Sequence, residues 1–184
     1  GTPTKYVFVD LETTGGSAQH DRITEIAIIR VDGEHVTRYQ SLLNPQQHIS
    51  LFIESITGIS NAMVADAPEF ADVADEVWAW LQDCVFVAHN VRFDYGFLKQ
   101  AFERVGKDLQ PEQLCTVKLS RRLYPEHKHH GLDQLIQRHS LRMSQRHRAM
   151  ADADAIYQFW QLVQREFDDE ILQAACRKVM NKPS

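Results

Sequence analysis

Between Lys5 and Leu11 apolar and polar positions alternate and Val and Phe dominate, and Ile23–Val31 is a second, β-branched run; both patterns predict strands. Asp32-Gly33 is a hairpin turn signal, so His35–Leu43 follows as a third strand that must end before Pro45. Three antiparallel strands therefore open the chain. From Ala67 to Gln82 the period changes: Phe70, Val73, Ala74, Val77, Trp78 and Leu81 recur at helical spacing, with Pro68 near the start. Val85–Ala88 reads as a short apolar strand and His89-Asn90 as a turn, after which Phe93, Phe97, Leu98, Ala101 and Phe102 mark a second amphipathic helix. A strand that returns after a helix suits a parallel neighbour of the first strand. Leu114–Val117 predicts one more strand, and Gly131–His139 and Ala149–Phe167 two more helices. Hairpins followed by alternating α and β elements predict an α/β sandwich, a mixed central β-sheet flanked by helices. Beyond residue 167 only a weak stripe of Ile171, Leu172, Ala175 and Val179 continues, compatible with packing, with fraying or with a lead into another domain.

Composition narrows the class without naming a chemistry. A chain of 184 residues suits one core, since about 150 residues already bury most of their unfolded surface. The domain is expected over residues 1–167, with 168–184 as a C-terminal tail or linker. No apolar run approaches the roughly 18 residues that cross a bilayer, and no basic-then-apolar leader opens the chain. A soluble, cytoplasmic protein without a membrane partner is the expectation. Cys84, Cys115 and Cys176 are odd in number and widely spaced, which suits reduced thiols. The first residue is Gly1 instead of methionine, which fits added residues or a cut from a longer chain.

Net charge of −5 argues at first against a nucleic-acid partner, whose phosphates call for Lys and Arg. The distribution reverses that argument. Lys118–Arg148 carries eight basic residues against Glu126 and Asp133, a segment of +6 that leaves −11 for the rest of the chain. Such a bias also arises from solvated helix faces.

Asp10 and Glu12 lie two apart on a predicted strand, so both side chains point to one face. Two acids on a buried face need compensation, because unpaired buried charges cost several kcal/mol, and a hard divalent cation supplies it. An exposed strand end is the competing reading. Asp94 and Asp152 each open a predicted helix, where an acid also serves as a simple dipole partner. His147, on the loop before Asp152, reads equally as a surface histidine.

Together these residues fall in Val9-Asp10-Leu11-Glu12-Thr13-Thr14-Gly15, His89-Asn90-Val91-Arg92-Phe93-Asp94 and His147-Arg148-Ala149-Met150-Ala151-Asp152-Ala153. The three segments resemble the three exonuclease motifs of the DnaQ-like family, the histidine-containing branch of the DEDD exonuclease superfamily, which includes the exonuclease domain of the DNA polymerase III epsilon subunit. The resemblance covers residues 5–167 and includes Ile56-Thr57-Gly58-Ile59, similar to a family segment between the first two motifs. It implies an RNase H-like fold and metal-dependent 3′-to-5′ hydrolysis of terminal phosphodiesters to nucleoside 5′-monophosphates. It further implies two ions, Mg²⁺ or Mn²⁺, with Asp10 shared, Glu12 and Asp152 completing one site and Asp94 supporting the other. His147 is implied as general base. Leu11, Thr13, Thr14, His89 and Phe93 resemble contacts to the terminal nucleotide, with Ile56 and Ile59 beside its base.

The expected substrate is DNA, as single strands or frayed ends, with RNA and a non-catalytic nucleic-acid- or polymerase-binding module as alternatives. A polymerase partner or a fused nuclease domain, reached through Lys178–Ser184, is the expected context. His127, His129 and His130 form an HxHH cluster without acids or cysteines at ligand spacing, and no metal is assigned there. Trp78 is expected in the core.

Overall fold

The computed structural model describes residues 4–181. In chain order it contains β1 (Tyr6–Thr13), β2 (Ile23–Asp32), β3 (His35–Leu42), α1 (Leu51–Thr57), α2 (Asn61–Val64), α3 (Phe70–Leu81), β4 (Val85–Ala88), α4 (Val91–Arg104), β5 (Gln113–Cys115), α5 (Thr116–Leu123), α6 (Leu132–His139), α7 (Ala149–Glu166), α8 (Asp169–Val179) and β6 (Met180–Asn181). The strands form one mixed sheet in the order β3-β2-β1-β4-β5-β6. The first three strands are antiparallel, β4 and β5 run parallel to β1, and β6 closes the far edge antiparallel to β5.

Period-two alternation in β1 divides the core into two layers. Val7, Val9 and Leu11 pack with Val77, Leu81, Phe97 and Phe102 of α3 and α4. Phe8 faces the opposite layer with Ile156, Phe159 and Trp160 of α7. Tyr6 and Phe8 meet Trp160 and Tyr157 at ring separations of 5.0 and 5.2 Å. Asp10 and Glu12 continue the Phe8 face, so the rule that buries Phe8 under α7 carries both acids toward the start of that helix.

Two departures from the sequence reading have local causes. The strand predicted over Leu114–Val117 stops at Cys115, and α5 begins at Thr116. The buried stripe of α5 is Thr116, Leu119, Ser120 and Leu123, half of it hydroxyl-bearing, so an apolar count cannot see it. Short α1 is held by its ends: the Ser50 hydroxyl accepts from the Ile53 N–H, and Gly58 closes it at φ +73°, a backbone state that suits glycine. The stretch after residue 167 is ordered through Asn181: Leu172, Ala175 and Cys176 of α8 are buried, and Met180 pairs with Leu114. Residues 1–3 and 182–184, where the chain start and part of the expected linker fall, lie outside the described residues. All three cysteines are free and buried, and Trp78 stacks edge-on against Phe102 at 5.2 Å.

Candidate active site

The acids converge where β1, β4 and β5 end. Asp10 and Glu12 come from the last half of β1, Asp94 from the first turn of α4 after β4, and Asp152 from the first turn of α7. Three are enclosed, with Glu12 9% exposed, Asp94 4% and Asp152 2%, while Asp10 is half-buried. The Oδ2 atom of Asp10 is buried without a hydrogen-bond partner.

Four carboxyl groups in so dry a space raise one another's proton affinity. Burial, then the charges of Asp94, Asp152 and Glu12, hold the Asp10 carboxyl well above the ordinary range. Burial does the same to Asp94, opposed by backbone N–H groups of Leu11 and of Asp94 itself. Glu12 is pushed up to about 8 by burial and by Asp152 and Glu25, and Asp152 to about 6 by burial, against the pull of Arg146.

His147 joins two of the acids: ligand-type atoms of Glu12, His147 and Asp152 all lie within 4.8 Å of one another, a group that does not include Asp10 or Asp94. It holds a positive φ of 70°, uncommon for a side-chain-bearing residue, and its N–H donates to Asp152 Oδ1 at 3.2 Å. Burial and then the neighbouring Arg146 lower its proton affinity, so the imidazole is neutral at neutral pH.

Two arginines counted in the sequence only as part of the basic Lys118–Arg148 segment, and one acid without an expected role, shape the site. Arg146 donates through Nη1 to Asp152 Oδ2 at 2.6 Å and through Nε to Asp133 Oδ1 at 2.5 Å, placing a cation at the rim of the acids. Arg148 grips Glu25 with both Nε and Nη2, at 3.0 and 2.6 Å, while the Ala149 N–H donates to the same carboxylate at 2.9 Å. This clamp ties the N-terminus of α7 to β2 and so positions Asp152 and His147. Its signal was an acid inside the apolar run Ile23–Val31.

The expected nucleotide contacts divide. Ile56 is 39% exposed and Phe52, one helical turn before it, 71% exposed. Phe93 is half-buried against Phe97 at 4.8 Å. Ile59, expected beside the base, is instead fully enclosed with Ile49 and Val64, so it packs α1 and α2 and offers no surface. Both ring nitrogens of His89, expected to touch the nucleotide, are engaged within the protein, by Thr116 Oγ1 and the His130 carbonyl, each at 2.7 Å. Burial lowers its proton affinity to about 4. The Thr13 hydroxyl donates to the Gly15 carbonyl, and that of Thr14 lies 2.9 Å from Gln47 Oε1. Leu11 is buried. Of the HxHH cluster, His130 is buried and bonded to Ser120 at 2.7 Å, bracing the loop that holds His89.

Comparison with known proteins adds the following. The RNase_T family model, described as Exonuclease, matches residues 7–160. A stretch of the DNA polymerase III PolC-type protein of Oceanobacillus iheyensis is 41% identical over 169 residues, covering 90% of this chain and 12% of that protein. The PolC-type protein of Staphylococcus saprophyticus is 40% identical over 152 residues, 82% of this chain and 11% of that one. The chain thus spans only a small part of the curated relatives it matches. Exonuclease X, solved in complex with 5′-overhanging duplex DNA, superposes with a TM-score of 0.70 at 27% identity over 93% of this chain and 99% of that one. The E. coli exonuclease I–ssDNA complex, in its zinc-bound form, gives a TM-score of 0.82 at 23% identity over 94% of this chain and 42% of that one. The fold is RNase H-like.

Proposed function

The chain belongs to the exonuclease family, and from this premise we propose that it removes nucleotides one at a time from the 3′ end of DNA, releasing nucleoside 5′-monophosphates. One observation carries the reading: acids from three distant segments meet in a dry pocket with an imidazole beside them and one carboxylate oxygen left without a partner.

Exonucleases of this family use divalent metal ions, and the donor set here fits them. An orphaned buried carboxylate oxygen among other carboxylates lacks cationic compensation, and hard oxygen donors suit Mg²⁺ or Mn²⁺. Asp10, Glu12, Asp94 and Asp152 would hold two such ions. When bound, the ions neutralise charge on the scissile phosphate and act as Lewis acids there.

The chain's own groups supply the rest. Neutral His147 takes the proton of the attacking water; the water oxygen bonds to phosphorus, and the bond from phosphorus to the 3′-oxygen of the preceding nucleotide breaks, that oxygen taking a proton from solvent to become the new 3′ hydroxyl. The Arg148–Glu25 clamp keeps His147 and Asp152 in register with β1. Ile56 and Phe93 offer apolar surface to the terminal base, an interaction that tolerates any sequence. The polymerase context of the PolC-type relatives makes a proofreading or repair setting the natural one, with single-stranded or frayed ends as substrate because the acids are recessed.

The test is product analysis on matched DNA and RNA oligonucleotides labelled at the 3′ or the 5′ end, with Mg²⁺, with Mn²⁺ and with chelator. Metal-dependent release of labelled mononucleotide from 3′-labelled DNA is expected. First release from the 5′ end would overturn the polarity, equal rates on RNA the substrate preference, and no release at all the enzyme.

A further inference from the structure

The +6 segment of the sequence does not form one surface. Arg146 and Arg148 are consumed by Asp133, Asp152 and Glu25 at the active site, Arg38 pairs with Asp154, and Arg138 bonds the His129 carbonyl. Lys5, Lys99 and Lys107 are likewise paired with acids, and Arg30 and Arg104 with backbone carbonyls. Lys128 and Arg142 of the same segment are also without an acid partner among the described residues, but four other cations share one place. Lys118, Arg121 and Arg122 of α5 and Lys178 at the end of α8 line one shallow depression of about 340 Å³. All four are exposed, and among the described residues none has a carboxylate within ion-pairing distance.

Four like charges brought together without counter-charge repel one another, so the arrangement gains by meeting a polyanion. Its place favours one. Residue Thr116, which opens α5, bonds His89 at the edge of the acid pocket, and Arg121 is near enough to lower the proton affinity of His89. Lys118–Arg122 lie two to six residues further along the helix, roughly 3–9 Å of axial rise. The chain outside Lys118–Arg148 carries a net charge of −11, so this patch is the place where a strand leaving the carboxylates meets concentrated positive charge.

We propose that Lys118, Arg121, Arg122 and Lys178 form a second binding site, for the phosphodiester backbone of the substrate strand upstream of its 3′ end. This deepens the exonuclease reading and rests on it. The site selects for strand length and not for base sequence, because it contacts phosphate alone.

The experiment compares wild type with the variant carrying Lys118→Gln, Arg121→Gln, Arg122→Gln and Lys178→Gln. Binding of a labelled single strand is followed by fluorescence anisotropy in chelator across a salt series, and kcat/KM is measured on a dinucleotide and on progressively longer oligonucleotides. Loss of four phosphate contacts is expected to make the slope of log affinity against log salt shallower by about 3 and to weaken binding at low salt by at least about tenfold. Wild-type kcat/KM should rise with strand length, and that rise should flatten in the variant. An unchanged salt slope and length profile would overturn the proposal and leave the patch to an acidic protein partner. If wild type releases no mononucleotide from any substrate, the exonuclease reading fails, while the anisotropy comparison still decides the binding site.

Discussion

Glu12 and Glu25 are cross-strand partners on β1 and β2, both enclosed, and they live in opposite circumstances. Glu25 accepts three hydrogen bonds, two of them from the Arg148 guanidinium. Glu12 has no hydrogen-bond or ion-pair partner among the described residues, and Asp10, two positions earlier, leaves an oxygen orphaned. A buried carboxylate with its cation in place locks structure together; one without it stores unfavourable electrostatics until a cation arrives. The two glutamates thus separate the part of the molecule that holds α7 from the part that uses it.

Removing an uncompensated acid should give the largest effect, and on activity alone. Asp10→Asn is expected to lower mononucleotide release by at least about 10³-fold, since it deletes a residue that would hold the ions neutralising the reacting phosphate. In chelator its melting temperature should equal or exceed that of wild type, because a carboxyl repelled by three neighbours has gone. A clear drop in stability would mean that Asp10 is structural and would collapse the contrast with Glu25.

Breaking the compensated acid should do the reverse. Arg148→Met leaves Glu25 buried with only the Ala149 N–H, and such one-sided removals cost about 3–5 kcal/mol. Urea unfolding should show that loss with chelator and at saturating metal alike. A loss under about 1 kcal/mol would show the clamp to be no stronger than a surface pair.

His147 stands between the two cases, close enough to Glu12 and Asp152 to be a ligand and neutral enough to be a base. As a base, His147→Ala should cut kcat by about 10²-fold or more and leave Mn²⁺ affinity within a few-fold. Calorimetric Mn²⁺ titration separates the roles, because loss of a ligand would weaken binding along with turnover.

Strands and long helices were legible in the sequence because their apolar residues dominate: β1 and β2 are β-branched and aromatic runs buried on both faces, and α3, α4 and α7 each bury a largely apolar stripe. The helices that escaped are those whose buried face is partly polar, as with Thr116 and Ser120 in α5, or whose stability comes from caps, as with Ser50 and Gly58 around α1. At the site the acids were legible through spacing and motif. Arg146 and the Arg148–Glu25 clamp were not, since an ion pair 123 residues apart leaves no local period to read. His89 and Ile59 show the converse: position in a motif does not say whether a side chain faces ligand or protein.

The smallest effect follows from the protons that stand in for cations. Glu12 is raised from 4.5 to about 8, so between those values the folded protein holds a proton that the unfolded chain has released. The contribution of Glu12 to stability therefore falls as pH rises through this window and levels off above about 8. Below 6.5 the lowered proton affinities of His89 and His147 act in the opposite sense, because those rings bind protons more readily once unfolded. Between 6.5 and 8 Glu12 contributes a loss of up to about 2 kcal/mol in metal-free protein, and the raised Asp10 and Asp94 carboxyls add to it in the same sense. Glu12→Gln should flatten that decline, and saturating Mg²⁺ or Mn²⁺ should remove it in wild type by replacing the proton as counter-charge. A wild-type curve with the same slope in chelator and in metal would mean that Glu12 is already compensated within the chain, as Glu25 is.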